Sequence, residues 1–283
     1  MYIDYTYIMY VLPAVFFAMW ASSKVNSTFR KYSSQYSMRN MTGRDAARAV
    51  LDANGLYQVR IERVAGNLTD HYDPRNNVIR LSDGVYSQTS TAAIGVAAHE
   101  AGHAIQHAQG YMPIKFRNAI IPITNLGSKL AMPLILVGLL FAGTGSAMGN
   151  LAYLGVACFG LSTLFQLLTL PTEFDASRRA LRAIESCNIL TDTEIAGSRK
   201  VLTAAALTYV AALAVSLTQL LRLLTIDVYK RQVSNNPLAF RICRPVPQIM
   251  ILPLSVTSTF FFILNVRKIR PTSVGETADY FCR

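Results

Sequence analysis

His99-Glu100-Ala101-Gly102-His103 is the stretch of this chain best able to do chemistry. It reads H-E-x-x-H, the spacing of a helical zinc site. On a helix, residues four apart lie about 40° apart around the axis and about 6 Å along it. His99 and His103 can therefore aim at one metal. Glu100, about 100° from His99, reaches a water on that metal, where a general base for peptide hydrolysis must sit. The plain alternative is a buried helix with two core histidines. Against it, three of the four His fall between 99 and 107. Residues 91–109 are Ala-rich and helical by pattern. Gly102 costs such a helix about 1 kcal/mol and implies a close neighbour.

The elements that must position these residues lie partly in a membrane. The chain has 283 residues, of which 52% are hydrophobic. Residues 2–20, 130–148, 151–170 and 201–224 are each long and apolar enough to span a bilayer. The first span is an anchor and not a cleavable signal. Asp4 precedes it, while Lys24, Arg30 and Lys31 follow it, which sets its C-terminal side in the cytoplasm. The net charge of +11 belongs to cytoplasmic loops, with no motif for nucleic acid. The four Cys show no metal or redox spacing, as expected of a reduced, cytoplasm-facing protein.

Residues 21–119 read as the polar catalytic region. Residues 40–56 have helical periodicity, with Thr42 as cap and Gly55 as stop. Residues 57–63 alternate like a strand. Residues 68–72 and 78–81 flank the turn-rich Asp73-Pro74-Arg75-Asn76-Asn77 and read as a β-hairpin. The strand before the zinc helix is expected to offer a free edge to a substrate backbone. Residues 120–170 form a transmembrane hairpin turning at Gly149-Asn150. Residues 171–200 then return to the side of the zinc helix, and 201–224 span again. The fold class expected is mainly α: a polytopic membrane protein with an α+β, zincin-like cytoplasmic catalytic region.

A catalytic zinc takes three protein ligands and a water. His107 lies about 12 Å along the helix from His99, too far to share the metal. Glu173 and Asp175, both returned to the correct side by the hairpin, remain open on these grounds.

Four blocks occur in order: L-T-D-H-Y-D-P-R at 68–75, V-I-R-L-S at 78–82, A-A-H-E-A-G-H-A-I-Q-H at 97–107 and P-T-E-F-D-A-S-R-R-A at 171–180. In them the chain resembles the bacterial YugP-like neutral zinc metallopeptidases over residues 2–224. More distantly its layout is similar to the HtpX/Ste24-type membrane proteases, with H-E-x-x-H, a hairpin, then E-[FY]-x-A-D. The resemblance implies a membrane-bound zinc peptidase acting on peptides or proteins. It maps the third ligand onto Glu173, beside His99 and His103, with Glu100 as base. Ser177 stands where that wider group has an Asp that supports a ligand His. Asp175 is a displaced substitute, and Arg178 or Arg179 is a further candidate for the oxyanion.

Two other readings are weaker. An intramembrane protease of the site-2 type would carry an L-D-G or N-P-D-G block, and none appears. A non-catalytic zinc scaffold would not need Glu100. Residues 227–232, D-V-Y-K-R-Q, resemble a translated sequencing-adapter read-through, so 225–283 reads as a non-native tail. It holds eight Lys/Arg and three Asp/Glu, and a further apolar run at 249–266.

Overall fold

A computed structural model describes residues 5–141 and 147–234; from 226 onward it describes the backbone alone. Seven helices and three strands are described: α1 Leu12–Ser33, entered through a wide turn at Tyr7–Val11; α2 Gly43–Ala53; β1 Arg60–Val64; β2 His71–Asp73; β3 Val78–Ser82; α3 Asp83–Tyr86; α4 Thr91–Ala108; α5 Met112–Leu140; α6 Leu151–Ser186; and α7 Asp192–Ser234. The protein is mainly helical with one small sheet. Four helical stretches are long and apolar enough to cross a membrane: Tyr7–Ser33, Met112–Leu140, Leu151–Ser186 and Asp192–Thr225.

Local chemistry explains the polar half. Thr42 and Asp45 form a reciprocal cap on α2, and Gly55 follows it at φ 71°. Asp73 accepts from the N–H groups of Arg75 and Asn76, and Asn77 takes φ 52°, which turns β2 into β3. β3 lies between the other two strands, parallel to β1 and antiparallel to β2. The strand that most nearly precedes α4, expected above to offer a free edge, is therefore the central one; the edges belong to β1 and β2. β2 is shorter than its pattern implies because Leu68, at φ 53°, bends the chain before it. One core joins α2, β3, α4, the end of α6 and the start of α7, with Leu51, Ile79, Ile94 and Ile184 fully buried.

The spans differ in extent from the hydropathy reading. α5 begins at Met112 and ends at Leu140, whereas the apolar window sits at 130–148. Its first turns carry Lys115, Arg117 and Asn118, which delay the hydropathy signal without stopping a helix. Pro171 does not separate a span from a following helix: α6 runs through it without interruption. Proline is tolerated inside helices whose neighbours re-satisfy the backbone. Hydroxyls join the bundle, with Ser128 to Ser162 and Thr163 to Ser216 each at 2.7 Å. Residues 142–146, within the stretch 130–148 read above as a span, and 235–283 of the stretch read as non-native, lie outside the described residues; α7 continues through Thr225 to Ser234.

Candidate metal centre

α4 carries the motif. The Ser90 hydroxyl caps it by accepting from Ala93 N–H, and its small side chains let it be enclosed by α2, α6 and α7. α6 passes so close that a Cβ on Gly102 would lie 2.6 Å from the Ala176 carbonyl oxygen. Only glycine permits that approach, and it brings Glu173 against the two histidines.

Glu173 Oε2 lies 3.4 Å from His99 Nε2 and 3.6 Å from His103 Nε2. One ligand atom from each residue falls within 4.8 Å of the others. Donors about 2.1 Å from a tetrahedral metal stand about 3.4 Å apart, so two imidazole nitrogens and this oxygen fit zinc. Glu173 Oε2 is buried and accepts no hydrogen bond among the described residues, which is costly unless a cation faces it.

Each histidine is oriented through its other nitrogen. His103 Nδ1 lies 3.0 Å from Gln106 Oε1. The Gln106 amide donates to the Thr172 carbonyl at 2.8 Å and to Asp175 Oδ2 at 2.9 Å. Its oxygen is thereby left to accept from His103 Nδ1–H, which turns Nε2 toward Glu173. His99 Nδ1 lies 3.2 Å from Ser177 Oγ. The partner that the sequence left in doubt is thus a serine for His99 and an Asp175–Gln106 relay for His103. Burial alone would depress the His103 pKa, but the Glu173 and Glu100 carboxylates outweigh it and hold His103 above its usual value.

Glu100 is buried, and its Oε2 accepts from the Tyr72 N–H on the free edge of β2 at 2.9 Å. It lines one cavity together with His99, Glu173 and Ser177. Asp70 borders that cavity too; burial, partly opposed by hydrogen bonds from Ser82 and reinforced by Glu100, pushes its pKa up to about 6.

Other sequence candidates lie elsewhere. His107 is exposed and meets only the Tyr72 ring edge among its described ring contacts. Arg179 pairs with Asp175 and Gln109 and lies over the Tyr111 ring, so it is tied up outside the cluster. Sequence reasoning missed Arg117, whose Nη1 lies 3.6 Å from Glu173 Oε1. On α5 it read as one more flanking charge. Gln106 was missed as well, although its i+3 spacing from His103 could have suggested it.

The model of a family described as "Putative neutral zinc metallopeptidase" matches residues 7–227. The "Putative membrane protease YugP" of Bacillus subtilis (strain 168) is 46% identical over 220 residues, covering 78% of this chain and 96% of that relative. No solved structure matches the chain.

Proposed function

The chain belongs to this neutral zinc metallopeptidase family, and on that premise we propose that it is a membrane-bound zinc endopeptidase of the gluzincin type, with its active site facing the cytoplasm. His99, His103 and Glu173 would hold the ion. Zinc there would supply Lewis acidity and bring the pKa of a bound water towards 7. Glu100 takes a proton from the attacking water and passes it to the leaving amine. The Tyr72 N–H fixes one of its oxygens while it does so. Gln106 and Ser177 keep the imidazoles turned with Nε2 inward. Arg117 steadies the second oxygen of Glu173, leaving Oε2 for the metal.

The observation that carries this reading is the convergence of three zinc-type donors, one of them an orphaned carboxylate oxygen, with Glu100 of the H-E-x-x-H motif on the shared cavity. The orientation rests on the Lys and Arg that follow the first span and crowd residues 178–182.

Metal analysis of the full chain in detergent tests the ligand set. His103→Ala and Glu173→Ala should each lose zinc, His107→Ala should keep it, and Gln106→Leu should weaken binding roughly 10- to 100-fold. A fully loaded Glu173→Ala protein would overturn the assignment.

A further inference from the structure

The cavity beside the three donors measures about 140 Å³, more room than a water needs. Its polar wall is His99, Glu100, Glu173 and Ser177. The rest is mostly apolar: Leu68 from the bend before β2, Val96 from α4, and Val201, Leu202, Ala205, Ala206 and the amphipathic Tyr209 from α7. α7 is pinned against α4 at Ser198, whose Cβ would lie 3.1 Å from a Cβ on Gly95. About two turns further along α7, the successive alanines leave the space open. Asp70 also borders it, but both its oxygens already accept hydrogen bonds from Ser82.

Binding sites of this kind are concave and mostly apolar, with a few convergent polar groups. A cavity of roughly 150 Å³ holds a benzene ring. This one therefore holds one side chain of Leu, Met or Phe size. We infer that it receives a single medium-sized apolar side chain of the substrate, from a residue directly flanking the scissile bond. Adjacency sets the position: the cavity shares Glu100 and two of the three metal-type donors with the hydrolytic site. This inference rests on the peptidase reading.

The test is a series of peptides that differ only at the two residues flanking one scissile bond, cleaved by the zinc-loaded full chain in detergent and read by mass spectrometry. A methylene in an apolar pocket is worth roughly 10-fold or more in kcat/KM. Leu should thus exceed Gly by at least about that factor at one flanking position. Ala205→Phe fills the cavity and should lower the Leu-to-Gly ratio by roughly 10-fold or more. Val201→Ala enlarges it and should raise the Trp-to-Leu ratio. Ratios do not depend on how much of a variant folds, so a poorly folding variant still reports. Cleavage with no flanking preference, or ratios unchanged in both variants, overturns the pocket while leaving the peptidase reading intact. A zinc-loaded chain that cleaves no peptide overturns both.

Discussion

Replacing Gly102 by Ala separates the fold's stability from the geometry of the proposed metal centre. On propensity alone the change favours α4 by about 1 kcal/mol. The new Cβ, however, meets the Ala176 backbone, with its oxygen at 2.6 Å and its Cα at 3.4 Å. Backbone cannot rotate away, so α6 must retreat by roughly 0.8 Å to bring the oxygen to ordinary contact. Overpacking of this kind costs about 1–3 kcal/mol, so the net loss of stability is about 0–2 kcal/mol. The effect on zinc is larger. Glu173 sits one turn before Ala176 and moves with it, while both imidazoles stay on α4. Ligand distances tolerate only about ±0.2 Å. Competition against a chromophoric chelator should show zinc affinity down roughly 10-fold or more, beside a modest shift in the melt of the zinc-free protein. Gly95→Ala, whose Cβ meets the Ser198 side chain on α7, serves as the control and should bind zinc as wild type does. Equal zinc affinity in Gly102→Ala and wild type would refute the claim that this contact sets the ligand geometry.

Two further outcomes follow from individual residues. The Asp70 pKa is raised from 3.8 to about 6 in the folded protein, so the folded state binds the extra proton; stability present below 3.8 is lost as pH rises through 6, by up to about 3 kcal/mol. Asp70→Asn should flatten that part of the pH–melting profile, and an unchanged slope would contradict the assignment of the loss to Asp70. Cys187 lies in the turn between α6 and α7, on the side of the proposed metal centre. With Cys243 and Cys282 replaced, an impermeant maleimide should label it only after cells are opened; labelling of intact cells would reverse the proposed orientation.

The parts of the fold legible in the sequence are those fixed by local chemistry. His99 and His103 fall together through helical period alone, Thr42 and Asp73 shape their turns through their own side chains, and the mid-helix cost of Gly102 signals a close neighbour. What the sequence hid depends on distant partners. The parallel pairing of β1 with β3 leaves no local mark. The polar first turns of α5 and the proline within α6 mislead a hydropathy window, because helices packed in a bundle carry both. Ser177 in place of an Asp looked like a loss, yet its hydroxyl reaches His99. The Asp175 contribution to His103 passes through Gln106, a residue whose type alone says nothing.

The central claim is that one motif both holds the metal and performs the proton transfer. It is tested most directly by measuring zinc content and peptide hydrolysis together in Glu100→Gln, purified as the full chain. The substitution keeps the shape and an oxygen for the Tyr72 N–H but removes the base. Zinc should remain bound at the wild-type level while hydrolysis falls by roughly 10² or more. Hydrolysis at the wild-type rate, with zinc in place, would contradict the account.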